Sequence, residues 1–118
     1  MPDATSPGEA RKESPVRMTP AFFFLMLTLV EGPRHGHGMS RDVEERSGGS
    51  VKLGPGSLYW SLGRLADAGL IAEVDAPLDE TDSRRRYYGL TAAGKEVLSR
   101  ETAVLERIVD YARQRRIV

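Results

Sequence analysis

The chain contains no cysteine, which excludes a disulfide framework, a thiolate metal site and a cysteine nucleophile. Its two histidines are too few for a multi-His metal centre without carboxylate help. Neither sign of charge is in excess, because 17 Lys and Arg face 17 Asp and Glu in 118 residues. The net positive charge usual in proteins that bind nucleic acid or membrane surfaces is therefore missing. Long apolar runs are missing too. The most apolar stretch, residues 21–30, is about half of the roughly 20 residues that span a bilayer. The N-terminus has no basic start followed by an apolar segment and a small-residue cleavage site, so the expected location is the cytoplasm, with no membrane partner. The length allows one small domain with a modest core.

Residues 1–17 carry Pro2, Pro7 and Pro15 among Ser, Gly and mixed charge, and are expected to form a disordered tail. Thr19-Pro20 opens a first helix, with Thr as cap and Pro at the first helical position. Apolar residues then lie all round it: Phe22, Phe23, Phe24, Leu25, Met26, Leu27, Leu29 and Val30. One small domain covers one such face, and the other predicts a partner subunit. Gly32-Pro33 is the expected stop. A second helix is expected over 35–47, with Met39 and Val43 four apart and Gly48-Gly49 closing it. A short extended piece follows over 51–53. Ser57 is expected to cap a third helix that runs to about residue 68 and stops at Gly69, with Leu58, Leu62 and Leu65 as its inner stripe, joined by Ala66. Residues 70–75 and 84–90 read as the two strands of a hairpin around a polar, acidic loop. Thr91 caps a last helix to about residue 116, with Val97, Leu98, Val104, Leu105, Ile108, Val109 and Ala112 on one broad face. So small a domain leaves that stripe little to pack on, which predicts a two-helix seam between copies.

The order is helix, helix, short strand, helix, hairpin, helix. This is an α+β class, mostly helical. Three helices followed by a hairpin form a winged helix-turn-helix, whose third helix enters the major groove of DNA. The expected organisation is the tail over 1–17, a winged-helix DNA-binding domain over 18–91 and a long C-terminal dimerisation helix over 92–118.

Gly54-Pro55-Gly56-Ser57-Leu58-Tyr59, then Leu62, Arg64-Leu65 and Gly69-Leu70-Ile71, resembles the recognition-helix signature of PadR-like transcriptional regulators. Arg85-Arg86-Tyr87-Tyr88, Leu90-Thr91 and Gly94 are similar to the family's second signature, and Gly32-Pro33-Arg34-His35-Gly36 to a third. The three lie in the family's order and cover roughly residues 18–118. The resemblance implies a dimeric winged-helix repressor of a palindromic operator, built by its first and last helices. The single last helix is similar to that of the short-tailed members. The partners implied are double-stranded operator DNA, a second copy and, as in some relatives, a small aromatic effector. The sequence departs from the family pattern at Trp60, Gly63, His37, Gly38 and Gly89, and each departure thins the second helix or the positive surface.

On the third helix, Trp60, Arg64 and Asp67 face out, with Ser57, Tyr59 and Ser61 at the flanks. Arg64 is expected to contact a guanine edge or a phosphate, and Tyr59 a phosphate through its hydroxyl, against a core-packing alternative. Trp60 either meets a thymine methyl or sugar, or folds over the neighbouring helix. Lys52 is expected at a phosphate. Arg84, Arg85 and Arg86 form the densest positive run, read as phosphate contacts of the wing or, alternatively, as partners of Asp79, Glu80 and Asp82. Strand alternation would send these neighbours to opposite faces. The expected dimer contacts are Phe22, Phe23 and Met26 of the first helix and Leu98, Leu105, Ile108, Val109 and Ala112 of the last. His35 and His37 read as turn histidines with no metal, and Glu101 as an edge residue of the last stripe. No cofactor is implied.

No Ser/His/acid pattern or nucleophile elbow appears, so no enzymatic activity is expected. The competing function is a winged-helix protein-interaction or ligand-binding module with weak or no DNA binding. Over residues 35–91 the chain has seven Lys and Arg against nine Asp and Glu, so any DNA contact rests on few residues and on their doubling in a dimer.

Overall fold

The computed structural model describes residues 16–118. The tail expected over 1–17 lies outside the described residues except for its last two. Of these, Val16 is buried in the core, so packing begins ahead of Met18.

Helix α1 (Pro20–Leu27) starts where the sequence indicates. Thr19 Oγ1 accepts the Phe22 amide at 3.2 Å, and Pro20 fills the position that needs no donor. The helix ends at Thr28 and continues as turns, ahead of the Gly32-Pro33 pair expected to stop it. Strand β1 (Arg34–His35) follows, an element the sequence reading does not contain. Helix α2 (Gly36–Arg46) is capped by His35, whose Nδ1 accepts the Gly38 amide at 3.1 Å. Residues 51–53 form no strand. Side chains of α2 and its C-terminus hold them instead, with Ser40 Oγ donating to the Leu53 carbonyl at 2.9 Å and Ser47 Oγ accepting the Val51 amide at 2.9 Å.

Helix α3 (Pro55–Asp67) begins two residues earlier than Ser57, because Pro55 takes the first helical position and Gly54 becomes the cap. It ends at Ala68, and Gly69 turns the chain at φ +78°, a left-handed conformation that glycine adopts without steric cost. Strands β2 (Ile71–Val74) and β3 (Tyr87–Leu90) form the wing hairpin. Both pair antiparallel, Ile71 opposite Leu90 and Val74 opposite Tyr87, while β1 pairs on the other side of β3 through Arg34–Tyr88 and His35–Tyr87. The sheet order is β1-β3-β2. The return strand thus starts at Tyr87 and not at residue 84. Arg84 to Arg86 lie in the turn before it, so strand alternation does not govern them.

Helix α4 (Ala92–Gln114) is capped by Thr91, whose Oγ1 accepts the Gly94 amide at 2.9 Å and donates to the Gly69 carbonyl at 2.7 Å. Its first turn lies directly on the start of the wing, where a Cβ at Gly94 would overlap the Leu70 carbonyl oxygen. The core gathers Leu25, Met26, Met39, Val43, Leu58, Leu62, Leu65, Leu70, Ile71, Val97 and Leu98 from all four helices and β2. Helix α3 is therefore held by its inner stripe, leaving its outer face and the wing on the surface.

Candidate nucleic-acid interface

The outer face of α3 carries Ser57, Tyr59, Trp60 and Arg64, all exposed. Trp60 is 64% exposed, yet its ring stacks on Phe22 of α1 with centroids 6.3 Å apart and an interplanar angle of 16°. The Arg64 guanidinium lies over the other side chain of this column, 5.9 Å from the Trp60 ring centroid. Among the described residues no carboxylate pairs with Arg64. Tyr59 leans on α2, where a Cβ at Gly36 would meet its hydroxyl at 3.3 Å. The residue as a whole is about half exposed. Trp60 and Tyr59 thus each pack partly against a neighbouring helix while much of each side chain stays in solvent.

Ser61 is largely withdrawn from this surface, reaching it only at the lining of the cleft beside Trp60 and Arg64. It is 5% exposed, because residues 58, 61, 62 and 65 share one arc of the helix and that arc faces the core. Lys52 stands exposed in the loop ahead of α3. Arg17, which the composition assigns to the tail, joins this surface. It lines an open cleft of about 540 Å³ with Thr19, Phe22, Ser57, Trp60 and Arg64. The available signal was the alternation Val16-Arg17-Met18 running into the Thr19 cap.

The wing is built on carboxylates. Glu80 accepts hydrogen bonds from the Tyr87 hydroxyl and from the Asp82 amide, the latter at 3.0 Å, and only 8% of its side chain is exposed. These donors, the Tyr87 hydroxyl first, hold the Glu80 carboxyl down to about 2. Arg85 Nη1 reaches the same carboxylate at 3.4 Å. Asp82 grips Arg84 through Oδ1 to Nε at 3.2 Å and Oδ2 to Nη2 at 3.3 Å, and its Oδ1 also accepts the Arg84 amide at 3.0 Å. The Arg84 side-chain hydrogen bond lowers the Asp82 carboxyl, and Arg84 is raised in turn. Arg86 Nη1 stands 3.9 Å from Glu73 on β2. All three wing arginines are therefore paired within the chain. Of the acids expected to pair with them, Glu80 and Asp82 do so, and Glu73 takes the third place instead of Asp79.

His35 joins the wing to α2. Its ring meets the edge of Tyr87 at 5.5 Å and stacks 6.5 Å from His37. Burial, and next the Arg85 guanidinium, push its pKa below the ordinary 6.5, which keeps Nδ1 free to accept the Gly38 amide. Among the described residues no group of three or more His, Asp or Glu side chains is placed to hold a metal ion. No helix among them is long and apolar enough to cross a membrane.

The residues expected at a subunit interface divide into two sets. Phe22, Met26 and Leu98 are buried inside the protomer and leave little side-chain surface for a second chain. Phe23 and Ala112 are half-buried, and Leu105, Ile108 and Val109 are exposed along α4. An apolar cleft of about 300 Å³ runs between α1 and α4, walled by Met18, Phe23, Phe24, Leu27 and Leu105.

A three-stranded sheet with an exposed third helix and a wing defines a winged helix-turn-helix protein. A family model described as "Transcriptional regulator PadR-like family" matches residues 25–100. The chain belongs to that family. It is similar to the crystal structure of a PadR family transcription regulator from Clostridium difficile, with 25% identity, a TM-score of 0.70, and 81% of this chain and 97% of that one covered. A PadR-like transcription factor from Bacteroides fragilis shares the fold at 21% identity and a TM-score of 0.62, over 79% of this chain and 86% of that one. An "Uncharacterized 37.1 kDa protein in transposon TN4556" of Streptomyces fradiae is 38% identical over 93 residues. These are 79% of this chain but 25% of the Streptomyces protein, so the chain spans about a quarter of that relative.

Proposed function

We propose that the chain is a homodimeric repressor that binds a palindromic operator through α3 and has no enzymatic activity. The observation that carries the reading is the outer face of α3, where Arg64 has no carboxylate partner among the described residues and lies on the exposed Trp60 ring. Ser57 and Tyr59 flank it, Arg17 shares the cleft beside it, and the exposed Lys52 in the loop ahead of α3 is a further donor for phosphate oxygens. A second copy covers the exposed Leu105, Ile108 and Val109 of α4, which doubles the few contacts that each protomer supplies. The reading includes a small aromatic effector seated where the copies meet.

Enrichment of duplexes from a random pool, followed by gel shift at two salt concentrations, tests the DNA reading. An inverted repeat with half-sites about 10 base pairs apart is expected, with binding that weakens steeply as salt rises. Recovery of no duplex at low salt overturns it. Sedimentation of the Ile108→Glu variant tests the dimer, because this exposed position tolerates the change in a folded monomer. Sedimentation unchanged from the parent overturns the α4 seam. For the effector, calorimetry with aromatic ligands reads a raised melting temperature, and an unchanged one removes that part.

A second reading, a module specialised for protein or ligand contacts, is favoured by one observation. The wing's carboxylates (Glu73, Asp75, Asp79, Glu80 and Asp82) outnumber its three arginines. Enrichment from the random pool separates the two readings.

A further inference from the structure

The wing's paired arginines bear on how this protein distinguishes its operator from other DNA, and the inference rests on the DNA-binding reading above. Asp82 holds Arg84 by two oxygens, Glu80 holds Arg85, and Glu73 stands beside Arg86. The arginines are not hidden by this, since the Arg84 and Arg86 side chains are 89% and 69% exposed. They are on the surface but already neutralised. The pairs are also prepaid in geometry. Glu80 is fixed by the Tyr87 hydroxyl and the Asp82 amide, and Asp82 is fixed by the Arg84 amide, so these two carboxylates stand at high effective concentration beside their guanidinium groups, while Glu73 lies more loosely, 3.9 Å from Arg86.

We propose that Glu73, Glu80 and Asp82 are internal counter-charges that keep Arg86, Arg85 and Arg84 off the phosphates of non-operator DNA, making the wing a determinant of discrimination. A phosphate that meets the wing by diffusion competes with a carboxylate that is already in place. On random duplex that competition is lost, and the wing adds little affinity. On the operator, the α3 contacts hold the wing against the backbone, and phosphate then competes on equal terms. Exchange of carboxylate for phosphate becomes a consequence of correct docking.

The experiment uses the full chain and two probes, a random-sequence duplex and an operator duplex enriched by the parent chain. The test variant is Asp82→Asn with Glu73→Gln. Glu80 is kept, because its carboxylate also holds the loop together. Binding isotherms across a salt series are expected to show random duplex bound about threefold to tenfold tighter than by the parent. The salt slope is expected to steepen by about one to two per protomer. The gain on the operator is expected to be smaller, so the ratio of the two affinities falls. The same acid changes in a background of Arg84→Ala, Arg85→Ala and Arg86→Ala are expected to give no gain. Parent-like affinity and slope in the acid variant overturn the inference while the DNA reading stands. A gain that survives without the arginines also overturns it, because the acids then act by repelling phosphate directly. If neither parent nor variant binds any duplex at low salt, the DNA reading itself fails and the inference fails with it.

Discussion

Arg64 on α3 and the three arginines of the wing carry the same guanidinium group, yet the fold treats them in opposite ways. Arg64 lies over an aromatic ring, with no carboxylate partner among the described residues. Arg84, Arg85 and Arg86 each face an acid, and two of those acids, Glu80 and Asp82, are themselves anchored by backbone amides and, for Glu80, a tyrosine hydroxyl. An arginine stacked on Trp60 keeps its five donors for an incoming acceptor, while one gripped by Asp82 must first exchange partners. Counting positive charge therefore ranks the wing above α3, and geometry reverses the order.

The change with the largest expected effect removes both regions at once. Gly94→Ala drives a methyl into the Leu70 carbonyl, which begins the wing and follows directly on the α3 stop. A loss of about 3 kcal/mol or more is expected, because the obstacle is backbone and cannot rotate away. A chemical denaturation curve checks it, and a parent-like midpoint would break the claim that α4 frames both surfaces.

His35→Ala acts on the wing side alone. It removes the α2 cap and the edge contact with Tyr87, at a cost of about 1 kcal/mol. The same residue makes stability depend on pH. Its folded pKa lies below 6.5, so its contribution is complete above about pH 6.5 and is lost as pH falls through the lower folded value. Melting temperature against pH is expected to decline over that interval in the parent and to flatten there in His35→Asn, which keeps a side-chain acceptor.

Gly63 sharpens the α3 side. A Cβ there meets nothing within 4 Å, so the glycine is a cost in helix propensity without a packing reason. Gly63→Ala is expected to add about 1 kcal/mol, seen as a rise of a few degrees in melting temperature. Gly63→Lys should also tighten duplex binding, by adding a cation with no carboxylate fixed beside it.

The smallest effect concerns the persistence of the wing clamp in acid. With Glu80 held at about 2 against an ordinary 4.5, its contribution is complete above about pH 4.5 and disappears as pH falls toward 2. The Asp82 amide resonance is expected to keep its hydrogen-bonded position at pH 4. A shift toward random-coil values there would contradict the clamp.

Much of this was legible in the sequence wherever the cause is local. Thr19-Pro20, Gly69 and Thr91 mark helix ends because capping involves only the next few residues. The Leu58, Leu62 and Leu65 stripe follows from helical periodicity, and the three family signatures fix the fold around it. Non-local features were not legible. Strand β1 has two residues and no alternation of its own, and exists only because β3 lends it partners. The helical step puts Ser61 at a flank of the outer face, but in the structure its arc is that of Leu58 and Leu65 and it is buried. The arginine pairs depend on the turn set by Asp82 and its grip on the Arg84 amide, which holds residues 84–86 out of the strand that the pattern predicted. The apolar stripe of α4 groups Leu98 with Leu105 and Ile108, but Leu98 is buried against the domain, Leu105 borders the cleft beside α1 and Ile108 is exposed.

The most direct measurement compares Arg64→Ala with the triple variant Arg84→Ala, Arg85→Ala and Arg86→Ala on the enriched operator by fluorescence anisotropy. The account predicts a loss of about 1–3 kcal/mol for Arg64→Ala, with relaxed sequence preference at one position of each half-site. It predicts a smaller loss for the triple variant despite its three missing charges. A triple variant that loses more affinity than Arg64→Ala would contradict the claim that α3, and not the wing, carries the binding.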